Sequence, residues 1–310
     1  MRMRRTGLAV AILALALTGT AACSDGGSAD DGNDGAKGTI TIGAFNFSES
    51  EIVANLYADL LEKAGYETEV KALGAREVVE PALEKGDIQL VPEYLGSFTT
   101  FLNSEENGAD APPAASSDFD ATLSAAKELA EPRGLVVLPP AAGQNTNAFA
   151  VTEQFSSDAG ITTLSELAAY DGDIVLGGGP ECPERPLCQP GLEETYGITF
   201  ADFQSFAEFS LIPKAVVDGD IQLGLVFSTD ASIAANNLVV LEDDKNLQTV
   251  ENITPVVNKD ANSDDLAAAL APLVDALTTD ALVELNNQVD NERETPANAA
   301  EAWLKDQGLI

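Results

Sequence analysis

Histidine is absent from all 310 residues. That removes the commonest general base and the commonest metal ligand, and it argues against zinc enzymes, Ser-His-Asp hydrolases and Cys-His proteases. Basic residues are scarce: 16 Lys and Arg stand against 51 Asp and Glu, a formal net charge of −35. Such a charge repels nucleic acid and anionic lipid, so DNA, RNA and membrane-surface binding through a basic patch is not expected. Cysteine occurs three times, and without histidine beside it neither a metal site nor a cofactor is expected. Against these shortages, 45% of the residues are hydrophobic. That is enough for a sizeable core, and the length suits two domains of ordinary size.

The N-terminus reads MRMRRTGLAVAILALALTGTAACS. Arg2, Arg4 and Arg5 precede an apolar run, Gly7 to Leu17, too short to span a bilayer comfortably. Residues 1–22 therefore read as an export signal. The small residues before Cys23 resemble a bacterial lipoprotein cleavage site, with Thr20 where Leu is more usual. Cleavage there makes Cys23 the lipid-bearing terminus and places the protein outside the cytoplasm, anchored to the outer face of the cell membrane. Residues 23–38, rich in Gly, Asp and Ser, cannot offset their ordering entropy by burial and read as a flexible tether. Cys182 and Cys188 lie in PECPERPLCQPG. Two close cysteines in an extracytoplasmic loop, with no further ligands nearby, predict a disulfide.

From residue 39 the pattern alternates. TITIGAF reads as a strand, and Ser48 with Glu51 as the capping box of a helix. TEVKALG, a helix through AREVVEPALEKG, and a strand in GDIQLVPEY follow. Residues 103–120 read as an exposed loop. The alternation resumes after a double-proline break near 139–146, and helices close the chain, carrying the single Trp303 as a packing residue. Strand–helix–strand order implies a mainly parallel α/β sheet, here twice. The pentapeptide GDIQL occurs in both halves, at Gly86 and Gly219, each copy leading to an aromatic, Tyr94 and Phe227, with hydroxyl residues close behind. Two lobes could thus present an aromatic each to one cleft.

TITIGAFNFSESEIVANLYADLLEKAGY, GDIQLVPEYLGS, GGGPECPERP with GLEETYG, FSTD, and LVVLEDD with TPVV resemble the osmoprotectant-binding proteins of ABC importers, which take glycine betaine, carnitine and choline. The motifs run in order through nearly all of 39–258. The resemblance implies a two-lobed type II periplasmic-binding-protein fold, with lobe I formed by 39–142 plus 252–310 and lobe II by 143–251. It implies a small ligand in the cleft between them, and an ABC permease with its ATPase as partners. A quaternary ammonium is held in such sites by aromatic faces, and a ligand carboxylate by Arg and hydroxyl donors.

Carried over by position, Tyr94 matches a cage tyrosine, Ser97 a carboxylate-binding Thr, Arg185 a carboxylate-binding Arg, and Phe227 a second cage position without its hydroxyl. Three positions depart. Phe45 stands where a Lys is frequent, Asn147 where a Tyr follows Asn-Thr, and Glu251 where a Tyr precedes Asn. Asn147 and Glu251 add polar groups to the expected pocket, and Phe45 offers a substitute face. Other readings stay open at this point: a ligand that is a more polar zwitterion or amine, a sensor lipoprotein of the same fold, or an enzyme using Glu93, Glu181 or Glu251.

Overall fold

A computed structural model describes residues 37–108, 111–180 and 182–310. The expected signal, Cys23 and the tether up to residue 36 lie outside the described residues, as does Glu181.

Strand β1 (Thr39–Phe45) alternates β-branched residues and is buried along all but its first position. Helix α1 (Ser48–Lys63) follows, burying Ile52, Leu56, Leu60 and Leu61. Burying side chains of this size is worth about 1.5–3 kcal/mol each. The expected capping box does not form. Phe47, with extended dihedrals, occupies the cap position and offers no side-chain acceptor, while Ser48 sits inside the first turn and donates to Asp290 Oδ1 at 2.6 Å. Next come β2 (Glu67–Gly74), α2 (Arg76–Lys85) with Pro81 inside it, and β3 (Leu90–Tyr94). Helix α3 (Leu95–Asn107) runs into the stretch expected to be loop, because Phe98 and Leu102 give it a buried face. Helix α4 (Phe119–Ala130) leads to β4 (Leu135–Val137).

The second series is β5 (Asn147–Thr152), β6 (Val175–Gly178), β7 (Asp202–Ser205), β8 (Leu223–Phe227) and β9 (Leu238–Leu241). FADFQSF, read as helix or turn, holds β7, which completes the parallel edge beside β6. Thr163 caps the helix Leu164–Ala168, as expected. Strand β10 (Ile253–Asn258) returns to the first sheet, and the helices Asp264–Leu270, Leu273–Ala276, Thr279–Asp290 and Pro296–Asp306 follow.

Two five-stranded sheets result among the described residues, ordered β2-β1-β3-β10-β4 and β7-β6-β8-β5-β9. Each has a parallel half and an antiparallel strand inserted beside it: β10 against β3 and β4, and β5 against β8 and β9. The chain passes between them twice, and the passing segments touch where Gln144 bridges Asn252. One large core, including Ile42, Tyr57, Phe98 and Trp303, packs on the first sheet. The second sheet has a separate cluster on each face, one around Phe149 and Leu225 and one around Ile212 and Val226.

Candidate functional site

Open α/β sheets place ligands beyond the carboxyl ends of their parallel strands. At that edge of the first sheet three aromatic rings gather. Phe45 ends β1, and Phe47 stacks on it with centroids 6.0 Å apart and planes 7° from parallel. Tyr94 ends β3 and lies 5.9 Å from Phe47 and 6.5 Å from Phe45. Phe45 and Tyr94 are 4% and 7% exposed, but Phe47 is 43% exposed, so the group is open to solvent through Phe47. Arg76 opens α2, at the end of β2, and its guanidinium carbon lies 5.1 Å from the Phe45 centroid. Nε and Nη2 of Arg76 donate to Glu93, the latter at 2.8 Å. Burial works against the Arg76 charge, but the Glu93 carboxylate outweighs it and holds the pKa above its ordinary value.

Glu49 is the fastening point behind these rings. Its Oε1 accepts from the Tyr94 hydroxyl at 2.8 Å and from Asn145 Nδ2 at 2.9 Å. Its Oε2 accepts from Thr229 Oγ1 at 2.6 Å and from Asn286 Nδ2 at 2.7 Å. Four donors satisfy the buried carboxylate, as burial of a charge requires. They join α1, β3, a crossing segment, the segment after β8 and a C-terminal helix. Burial first, then the Glu49 charge, raises the Tyr94 pKa well above the ordinary tyrosine range.

Glu251, on the other crossing segment, sits against the start of α3. Ser97 donates its N–H to Oε2 at 3.0 Å and its hydroxyl to Oε1 at 2.8 Å, and Thr249 adds a third bond at 3.1 Å. Burial raises the Glu251 pKa, opposed by these bonds. Two residues expected to line the pocket therefore bind each other.

Phe227 ends β8 as Tyr94 ends β3, is half-buried, and packs on Phe209 at 5.2 Å. Asn147 pairs with it across β5. An open cavity of about 350 Å³ runs along the crossing segments, walled by Gln144, Thr146, Asn147, Ser228, Thr249 and others. Of the expected residues only Asn147 lines it, although Thr249 links it to Glu251. Cys182 and Cys188 form the expected disulfide. Arg185 between them is exposed, and its side chain makes no hydrogen bond or ion pair among the described residues.

The structure thus brings Phe45 to Tyr94 and Ser97 to Glu251. It leaves Phe227 with Phe209, Asn147 at the cavity, and Arg185 outward. Phe47, Glu49 and Arg76 were not singled out from sequence. Phe47 and Glu49 stand inside NFSES, whose pattern reports only a helix start. Arg76 follows a strand end, which is the only local signal it offers.

Two parallel-edged sheets joined by two crossings are the architecture of the two-lobed periplasmic substrate-binding proteins. Apo YehZ from Escherichia coli superposes with a TM-score of 0.71 at 26% identity, covering 88% of this chain and 99% of that one. A solved glycine betaine/carnitine/choline ABC transporter structure gives 0.75 at 24% identity, covering 87% and 98%. In sequence, a glycine-betaine-binding protein of Pseudomonas aeruginosa is 30% identical over 285 residues, 88% of this chain and 89% of that protein. The family described as the substrate binding domain of ABC-type glycine betaine transport systems matches residues 38–306, and this chain belongs to it. It is a solute-binding protein of an osmoprotectant transport system rather than a member of an enzyme family.

Proposed function

We propose that this protein captures a small quaternary-ammonium osmoprotectant outside the cytoplasm, in the cleft between a lobe formed by 39–142 plus 252–310 and a lobe formed by 143–251. The lobes close on the ligand by a hinge in the crossing segments. The closed form delivers it to a membrane permease driven by a cytoplasmic ATPase, and a lipid on Cys23 keeps the protein at the membrane.

One observation carries this reading: the grouped rings of Phe45, Phe47 and Tyr94, open to solvent through Phe47, at the carboxyl edge of the first sheet. A quaternary ammonium has no N–H to donate and is held by ring faces at about 0.5–2 kcal/mol each. Phe227 adds a face from the second lobe, while Asn147, Ser97 and Glu251 supply the polar wall. Arg185 is the one member of the expected set that this site does not use.

A thermal-shift panel of choline, glycine betaine, carnitine, proline betaine and ectoine tests the reading, because a ligand that binds only the native state raises the melting temperature. A quaternary ammonium is expected to raise it, and Phe47→Ala with Tyr94→Ala to abolish the rise. No shift with any of the five would overturn the proposal.

A further inference from the structure

The hydrogen-bond donors at the end of β3 and the start of α3 are engaged by carboxylates or carbonyls of the protein itself, except for the outer N–H groups of Arg76. The Tyr94 and Thr229 hydroxyls donate to Glu49. Arg76 donates to Glu93 through Nε and Nη2. The first turn of α3 would ordinarily offer free N–H groups to an anion. Here Leu95 N donates to Asn252 O, Gly96 N to Val250 O, and Ser97 donates twice to Glu251. Glu251 thereby occupies, from within the chain, the Ser97 donors that a ligand carboxylate at this helix start would need.

The acceptors are in the opposite condition. Asn145 and Asn286 both donate to Glu49, and the Oδ1 of each is buried with no donor among the described residues. Glu49 and Glu93 each accept a bond from Tyr94, Glu251 accepts two from Ser97, and Arg76 is the cation paired with Glu93 beside them. Such a site favours a positive charge, offers lone pairs to a hydroxyl, and repels a carboxylate.

We infer that Glu251 is a specificity-determining residue: by occupying the Ser97 donors it makes the site select a quaternary-ammonium alcohol, a net cation, over betaines that carry a carboxylate. This rests on the quaternary-ammonium reading of the site.

Titration calorimetry of the wild type, Glu251→Ala and Glu251→Gln with choline and with glycine betaine tests it. The wild type is expected to bind choline roughly tenfold or more tightly than glycine betaine. Glu251→Ala frees the Ser97 N–H and hydroxyl, so the preference should fall by roughly tenfold or reverse. Adding Ser97→Ala to Glu251→Ala should remove part of the gained betaine affinity, which a merely structural role for Glu251 does not predict. Glu251→Gln keeps the side-chain shape while removing the charge and one of the two acceptors, and serves if the Ala variant does not fold. A wild type that prefers glycine betaine, or a preference unchanged in the variants, overturns this inference and leaves the proposed function standing. A wild type that binds neither compound overturns this inference, and overturns the proposed function as well only if carnitine, proline betaine and ectoine also fail to bind.

Discussion

Gly86–Leu90 and Gly219–Leu223 spell the same five residues, and several of the same contacts recur at both copies. Each Gly ends a helix in the left-handed conformation, at φ 77° and 81°. Gln89 donates its backbone N–H to Thr41 O and accepts from Thr41 N, while Gln222 does the same with Val175. Ile88 and Ile221 each press on a glycine of the neighbouring strand, Gly43 and Gly177. The step is therefore one way of docking a helix-to-strand turn onto a parallel neighbour, used in both sheets. The surroundings differ. Six residues before the Gly stands Glu80 in the first sheet and Pro213 in the second; seven after it stand Glu93 and Val226. The first lobe carries buried charge and a tyrosine tied to Glu49, and the second carries apolar packing and a phenylalanine on Phe209. Identical scaffolding thus supports two chemically unlike edges.

The sharpest contrast is in pH dependence. Glu80 is fully buried, neither oxygen has a partner among the described residues, and burial pushes its pKa up to about 8. A pKa raised on folding stabilises the protein fully below the unfolded value of 4.5 and loses that contribution as pH rises through about 8. Across that window each pH unit should cost about 1.4 kcal/mol at this group. Glu80→Gln should flatten the slope in chemical melts taken from acid to alkaline pH, whereas a change at Pro213 should leave it alone. An unchanged slope in Glu80→Gln would assign the pH response to other groups.

In binding, Tyr94→Ala should weaken choline by about 100-fold and Phe227→Ala by about tenfold, because Tyr94 belongs to a three-ring group and Phe227 offers one face. Equal losses by calorimetry would erase the asymmetry between the lobes. Gly43→Ala and Gly177→Ala test the shared step. A Cβ would lie 2.4 Å from Ile88 Cδ1 in one and 2.3 Å from Ile221 Cδ1 in the other. Each should destabilise the fold by about 1–3 kcal/mol in urea, with Ile88→Val partly rescuing Gly43→Ala. Gln89→Ala should cost about 1–2 kcal/mol, since it strands the Thr41 N–H. Gln222→Ala should cost less, because its second bond, to Gly219 O, is long at 3.5 Å, against 2.7 Å from Gln89 to Gly86 O. Arg185→Ala is expected to change choline affinity by no more than about twofold.

The strand and helix order was legible because periodicity is local. TITIGAF, TEVKALG and QLGLVF alternate or run apolar over lengths that only strands fit. Trp303 could be placed in the core, and the pairing of Cys182 with Cys188 followed from their closeness. FADFQSF misled because a four-residue edge strand with mostly exposed side chains has no apolar pattern to show. Partners were the illegible part of the site. Nothing local says that Glu49 gathers donors from residues as distant as Asn286, or that Ser97 and Glu251 satisfy each other across 154 positions. Such bonds depend on which strands the topology makes adjacent, and sequence motifs report the residues without their neighbours.

The insertion of β10 has a consequence for how the protein is made. Strands β1 to β4 emerge first, yet β3 and β4 are joined only through β10, which is synthesised after the whole second sheet. In a chain that folds as it emerges, the first sheet would have an unpaired inner edge at the stage when the second sheet already has all five of its strands. An unpaired edge is a template for wrong pairing. The lobe begun first is thus the lobe finished last, and a chain stopped before residue 253 should carry one complete sheet and one that aggregates.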